Sequence, residues 1–214
     1  SARHFQTVAS KNPEELRNAA LGVMPQAETC IVFADGLRFD VATRLQELLE
    51  TRGYRARLSH RLAPVPTVTA TAKPVASPAH MFCEETADYG EFAPALGEGH
   101  KSSNAQRLRD ELARNGIEVM EEDEFVIPSG SHGGWTEIGH LDALGHKLNA
   151  GLAKQIETEL EGIAERAAGL LAGGWSKVQI VTDHGWLLLP GGLPKVELPA
   201  YLTETKWARC AVAQ

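Results

Sequence analysis

Carboxylate and imidazole side chains stand together in two short segments of this chain. Asp183 and His184 are adjacent and follow an apolar, β-branched run, while Asp142 precedes His146 by four residues. A third acid, Asp35, follows another apolar run. Open α/β sheets gather such groups in the crevice beyond the carboxyl ends of their strands. Carboxylates combined with imidazoles suit zinc, with manganese as an alternative, so these residues predict two-metal hydrolysis.

Each of these groups also has a purely structural interpretation. Asp35 could cap the helix that follows it, and a strand-end acid such as Asp183 often caps the next turn. The spacing of Asp142 and His146 would put both on one face of a helix, but Gly145 between them favours a loop. Three separate coincidences would be needed to place metal-type residues at these positions, so we favour the metal-binding interpretation.

A threonine-rich segment, residues 66–74, offers a nucleophile for such a site. It carries the hydroxyls of Thr67, Thr69 and Thr71 between two prolines, which predict a constrained loop. A hydroxyl bound to a divalent metal ion becomes a good nucleophile toward phosphorus near neutral pH. Lys73 in the same segment could hold a phosphate oxygen. The alternative is an ordinary threonine-rich turn with an exposed lysine.

Positive charge is concentrated after the first apolar run, although the chain has a formal net charge of −7. That balance argues against a surface that coats nucleic acid in general. The local cluster could still face a phosphate, or its members could be solvated positions on helices and strands. The arginines concerned are Arg38, Arg44, Arg52, Arg55, Arg57 and Arg61.

Length and composition predict one globular domain that covers residues 1–214. The 214 residues are 43% hydrophobic and 23% charged, as in ordinary soluble domains. No apolar run approaches the roughly 20 residues that span a bilayer, and no leader is recognisable, so we expect no membrane partner and a cytoplasmic location. The chain starts without Met and ends in a strand-like run, which suggests a piece of a longer protein.

Hydrophobic periodicity predicts strands that alternate with helices, and hence an α/β fold with a mainly parallel sheet sandwiched by helices. A small irregular insertion is expected around residues 78–130. The predicted strands are 28–34, 54–62, 117–127 and 178–182, and the predicted helices are 13–21, one from about residue 41 to Gly53, 102–114 and 147–171.

These motifs together resemble the alkaline phosphatase superfamily and, within it, the PglZ domain of bacterial phage-defence systems of the BREX or Pgl type. The resemblance rests on VFADGLRFD at 32–40, the threonine segment 66–74, the acid and imidazole at 142–146, and TDHG at 182–185. It spans nearly the whole chain in the expected order. An alkaline-phosphatase-like core is the fold that this resemblance implies.

The resemblance also implies roles for individual residues. Thr69 would be the nucleophile, because residues 66–69 look like the Pro-Thr-x-Thr loop of related nucleotide phosphodiesterases, with Thr67 and Thr71 as alternatives. Phosphate would contact Arg38 and Lys73. The first of one or two divalent ions, zinc or else manganese, would be held by Asp35, Asp183, His184 and the nucleophile, and the second by Asp142 and His146.

One departure from the superfamily pattern concerns the second metal site. Related enzymes complete it with a histidine well after the Asp-His pair, and no histidine follows His184 here. Either the site is completed elsewhere, or it is degraded and holds one metal or none. His132 and His140 are candidates outside the usual order.

The leading functional hypothesis is therefore a metal-dependent phosphohydrolase, more a phosphodiesterase or nuclease than a monoesterase. The resemblance implies nucleotides or nucleic acid as substrates and other defence-system proteins as partners. A competing hypothesis is a non-catalytic scaffold domain of a multi-protein defence complex, with a degraded or structural metal site. A phosphomutase-like isomerase would use the same ligands.

Overall fold

The computed structural model describes residues 7, 10, 11, 22–64, 66–84, 92–97, 99, 101–129, 132–186, 203–207 and 210–213. The strands are β1 (Thr29–Ala34), β2 (Cys83–Glu84), β3 (Ala95–Leu96), β4 (Lys101–Ser102), β5 (Glu118–Met120), β6 (Gly134–Ile138), β7 (Lys177–Val181), β8 (Thr203–Trp207) and β9 (Cys210–Ala213). The α-helices are α1 (Phe39–Thr51), α2 (Thr69–Ala76), α3 (Ala105–Arg114), α4 (Leu141–Leu148) and α5 (Ile156–Ala172). Short 3-10 helices cover Pro78–Phe82 and Asn149–Lys154.

A four-stranded parallel sheet forms the centre of the fold, in the order β5-β6-β1-β7. All six residues of β1 are buried, as expected for a strand covered on both faces. Its Cys30 lies opposite Gly134 of β6 and Val178 of β7, which fixes the register on both sides. The carboxyl ends of these strands therefore meet at one edge of the sheet.

Helices cover both faces of this sheet. Successive β1 side chains point to opposite faces, so Ile31 and Phe33 share one face and pack with Leu108 and Leu112 of α3. The other face packs against α1 and α5. That core includes Ala34, Val41, Leu45, Leu160 and Ile163. The expected α/β class, with a parallel sheet between helices, is confirmed.

Several predicted elements are confirmed, namely β1, α1, α3, β7 and a strand near the end of the chain. The strand predicted at 54–62 was wrong, because residues 54–64 have no regular secondary structure. Alternation alone does not make a strand when no neighbour supplies backbone hydrogen bonds. On the side of β1 away from β7, the neighbouring strand is β6, which the sequence interpretation missed.

The threonine segment and the residues around Asp142 are helical rather than looped. The loop predicted at 66–74 was wrong from Thr69 onward, since α2 begins there and contains Pro74. Asp142 and His146 lie on α4, so Gly145 is tolerated inside a helix. The single helix predicted at 147–171 is divided, because the 3-10 helix at 149–154 separates α4 from α5.

The expected irregular insertion around 78–130 is partly regular. Besides α3 it contains a 3-10 helix and the small antiparallel sheet β2-β3-β4. The strand predicted at 117–127 is shortened to β5. The helix predicted at 13–21 lies outside the described residues. Within the part of the chain that the structure covers, no helix combines the length and the apolar character needed to cross a bilayer.

Candidate metal centre

Three separate elements bring acids and an imidazole together at the carboxyl edge of the sheet. Asp35 follows the end of β1, His184 lies three residues after β7, and Asp142 is in the first turn of α4. One ligand atom from each of these side chains lies within 4.8 Å of the others. This is the convergence that the strand-end positions of the motifs predicted, and it could hold a metal ion.

The turn after β1 is tied directly to the end of β7. Gly36 has φ of +67°, and its N–H points at Asp183 Oδ1 over 3.4 Å. The next N–H, of Leu37, donates to Thr182 Oγ1 over 3.0 Å. A Cβ at position 36 would lie 3.0 Å from the Cβ of Asp142. Glycine therefore permits both the left-handed turn and the close approach of α4.

His184 is almost fully buried, with 2% of its side chain exposed. Its Nδ1 lies 3.1 Å from the carbonyl oxygen of Gly185, which can only accept, so Nδ1 carries the proton. The other nitrogen, Nε2, is left unprotonated and faces Asp35 Oδ1 at 3.7 Å and Asp183 Oδ2 at 3.6 Å. A backbone carbonyl that fixes the tautomer in this way is typical of histidines that bind metals.

Two buried carboxylate oxygens in this cluster have no hydrogen-bond partner, Asp35 Oδ1 and Asp183 Oδ2. Asp183 Oδ1, by contrast, accepts from the His184 N–H over 2.9 Å. Buried charges are normally paired or bound to metals. The unpartnered oxygens and the unprotonated Nε2 are therefore groups that could hold a metal ion.

The pKa of Asp35 reflects the same crowding of negative charge. Burial raises the pKa of its carboxyl to about 7, and the nearby carboxylates of Asp183 and Asp142 contribute in the same direction. His184 and Lys73 oppose the shift more weakly. A cation in the cluster would reverse this balance, because it favours the ionised form of every carboxyl that it contacts.

Of the three candidate threonines, Thr69 is the one whose hydroxyl contacts the cluster. Its Oγ1 lies 3.0 Å from His184 Nε2, and the unprotonated nitrogen accepts the hydrogen bond. Thr71 Oγ1 donates instead to the carbonyl oxygen of Phe92. Thr67 is exposed. Thr69 is also the first residue of α2, so the helix sets its position.

The predicted division into two metal groups is not the grouping seen here. Asp142 clusters with Asp35 and His184. Within the described ranges, this is the one group of three metal-type side chains whose ligand atoms lie within 4.8 Å of one another. His146 Nε2 lies 3.3 Å from Asp142 Oδ2, one turn further along α4, with 72% of its side chain exposed. His132 and His140 are not members of this cluster.

The two candidate phosphate-binding cations each contact a carboxylate. Arg38 makes a bidentate pair with Asp40, at 2.5 and 2.6 Å, and lies over the ring of Trp186. Lys73 Nζ lies 2.6 Å from Glu137 Oε2 and above the Phe33 ring.

Glu137 is a residue of the site's surroundings that the sequence interpretation missed, because β6 was not predicted. The signal was present in Trp135, Thr136 and Ile138, whose residue types favour strands. Glycines with positive φ, Gly133 and Gly139, flank β6.

No known protein family, curated protein or solved structure matches this chain.

Proposed function

We propose that this chain is a divalent-metal-dependent phosphohydrolase that uses Thr69 as its nucleophile. The observation that carries the proposal is the 3.0 Å contact between Thr69 Oγ1 and His184 Nε2, beside the carboxylates of Asp35 and Asp142. A hydroxyl set among metal-type ligands at the start of a helix suits in-line attack on phosphorus. An isolated structural metal site would not require that hydroxyl.

Each residue has a role in this proposal. Asp35, Asp142 and His184 hold the cation, and the unpartnered oxygen of Asp183 faces the same space. When bound, the cation supplies charge neutralisation for the attacking hydroxyl and for the phosphoryl oxygens. The backbone N–H groups at the start of α2, where Thr69 lies, donate hydrogen bonds to a phosphoryl oxygen, because helix N-termini favour anions.

The charges around the site favour a phosphodiester over a phosphomonoester. The guanidinium of Arg38 and the ammonium of Lys73 are each paired with a carboxylate. Three further carboxylates, of Asp35, Asp142 and Asp183, surround the reaction centre. A singly charged diester meets less repulsion here than a doubly charged monoester.

The wider setting follows from the resemblance to PglZ domains and is part of the same proposal. We assign the chain to an alkaline-phosphatase-like core that acts on nucleotides or nucleic acid in bacterial phage defence, in the cytoplasm, with other defence proteins as partners. Zinc is the expected metal and manganese the alternative. The support is that Asp35, Asp142, His184 and Thr69, chosen by motif, converge in space.

One observation favours a second candidate, a non-catalytic scaffold with a structural metal. Superfamily enzymes of the type resembled hold two metals. Here the side chain of His146 is 72% exposed, and the described residues form one group of three possible metal ligands. A scaffold would bind one cation and cleave nothing. Turnover therefore separates the two candidates.

The nucleophile is tested with Thr69→Ala and the exposed neighbour Thr67→Ala as its matched control. The purified protein is loaded with zinc or manganese and assayed on bis-p-nitrophenyl phosphate and p-nitrophenyl phosphate. We expect diester cleavage to exceed monoester cleavage. Thr69→Ala should lower kcat by at least about a thousandfold without changing the cation content measured by elemental analysis, whereas Thr67→Ala should keep wild-type rates.

The carboxylate beside the three cation ligands is tested with Asp183→Ala, with Asp123→Ala in an exposed acidic turn as the control. We expect Asp183→Ala to weaken cation binding by at least about tenfold and to abolish hydrolysis. Asp123→Ala should change neither quantity. Full activity in Asp183→Ala, or unchanged rates in Thr69→Ala, would overturn the assignment, and a metal-loaded wild type that cleaves no ester would favour the scaffold.

A further inference from the structure

A cavity of about 870 Å³ adjoins the metal cluster and runs beneath residues 54–64. Asp183, His184 and Arg38 line its mouth. Its volume lies within the roughly 300–1,000 Å³ that organic ligands occupy in proteins. None of the roles given above to Asp35, Asp142 or Thr69 uses this space. The cavity is therefore a candidate for the part of a substrate that lies beyond the phosphate.

Apolar side chains make up a large part of the cavity lining. Ala42 and Leu49 of α1 line one side, and Val178 and Ile180 of β7 line another. These four side chains are only half-buried, so they present apolar surface that a ligand could remove from water. Covering a phenyl-sized group on such a surface contributes a favourable free energy proportional to the apolar area that it buries.

Positively charged residues with exposed side chains also lie along the cavity. Arg55 and Arg57 belong to the segment that lines the cavity. No aspartate or glutamate occurs from residue 51 to residue 83, in a chain whose formal net charge is −7. Apolar lining with basic residues beside it complements a ligand that is both anionic and apolar.

We propose that this cavity binds the ester substituent of the substrate, and that this substituent is an apolar or aromatic group of at least phenyl size. The inference rests on the proposed function, because the phosphate of such an ester would stand at the mouth beside Asp183 and His184. The substrate class is then a phosphodiester with a bulky apolar or aromatic substituent, and small alkyl diesters are poor substrates.

Selectivity is measured with p-nitrophenyl diesters that share one leaving group and differ in the other substituent. The zinc-loaded protein is assayed on methyl p-nitrophenyl phosphate and phenyl p-nitrophenyl phosphate. Because the leaving group is constant, the difference reports the second substituent. We expect kcat/KM for the phenyl ester to be at least about tenfold higher, mainly through KM.

Filling the cavity should remove that selectivity. Ala42→Phe places an aromatic ring in the cavity, and Ala113→Phe makes the same change at an exposed position of α3. We expect Ala42→Phe to reduce the phenyl preference to about twofold or less. Ala56→Phe is a second variant that fills the cavity. Residue 56 lies in a segment without regular secondary structure, so the new ring does not disturb the packing of a helix.

Binding is measured separately from turnover, by calorimetry with diphenyl phosphate and dimethyl phosphate. Tighter binding of diphenyl phosphate that is lost in Ala42→Phe or Ala56→Phe supports the cavity assignment, even if no ester is cleaved and the hydrolase proposal has failed. Hydrolysis without any size preference overturns the cavity assignment and leaves the hydrolase intact. Equal behaviour of both filling variants and Ala113→Phe also overturns it.

Discussion

Asp35 is the residue at which protonation and cation binding meet. Burial, Asp183 and Asp142 together raise the pKa of its carboxyl from 3.8 to about 7 in the folded chain. The folded state therefore holds a proton that the unfolded chain releases at lower pH. The contribution of Asp35 to the free energy of unfolding is fully favourable below about pH 4 and is lost as the pH rises through about 7.

This sign gives a prediction for the protein stripped of metal with a chelator. Urea unfolding of the wild type should show lower stability at about pH 8 than at about pH 5, after subtraction of the trend in Asp35→Asn. We expect Asp35→Asn to be the more stable protein at the higher pH, because the amide cannot ionise. The control is Asp40→Asn, because the Asp40 side chain is 63% exposed and Arg38 lowers the pKa of its carboxyl. This variant should show the same loss of stability between about pH 5 and about pH 8 as the wild type.

Strand-end positions made most of the site residues predictable. Asp35 and His184 follow apolar runs, and any parallel pairing of those runs brings them to one edge. Their grouping was not predictable, because it depends on where α4 packs. Asp142 closes on Asp35 rather than pairing with His146 in a second site. The contact between Lys73 and Glu137 was hidden for the same reason, since it joins two elements whose types were misjudged.

At the level of secondary structure, the turn between β1 and α1 controls the spacing of the cluster. Gly36 adopts φ of +67°, and the Cβ of Asp142 stands 3.0 Å from the place where a Cβ would be. Gly53 at the end of α1 has φ of +86° with nothing within 4 Å of such a Cβ. Both positions have a positive φ that would strain any other residue, and they differ in the close contact.

Substituting each glycine by alanine therefore separates strain from contact. Both Gly36→Ala and Gly53→Ala should lower the free energy of unfolding by about 1–2 kcal/mol, the cost of a side chain at positive φ. Gly36→Ala should in addition push α4 away and weaken cation binding by about tenfold, while Gly53→Ala leaves it unchanged. Equal cation affinities in the two variants would show that the Gly36 contact does not position Asp142.

Element prediction succeeded where periodicity and end signals agreed, as in α1 and α3. It failed where composition pointed away from the tertiary outcome. Residues 54–62 alternate, yet no described strand pairs with them, whereas β6 is short and was overlooked although it lies next to β1. In residues 66–74, two prolines and three threonines suggested a loop, but α2 begins after Val68 and tolerates Pro74.

At the scale of the whole molecule, one parallel sheet accounts for both the site and the cavity. The carboxyl ends of β1 and β7 carry Asp35 and His184 to the same edge. Among the described strands β7 is the last in the sheet, and the cavity lies between it and residues 54–64. A partly buried cluster of three acids, in which two buried oxygens have no hydrogen-bond partner, is costly without a cation. Cation binding, or protonation of Asp35, would relieve this arrangement.

The most direct measurement is an anomalous-difference map, recorded at the zinc edge from a crystal of the zinc-loaded protein. We expect a peak enclosed by Asp35, Asp142 and His184, about 2 Å from His184 Nε2, with the Thr69 hydroxyl beside it. No peak at this position, or zinc held elsewhere while these side chains keep their present contacts, would contradict the account.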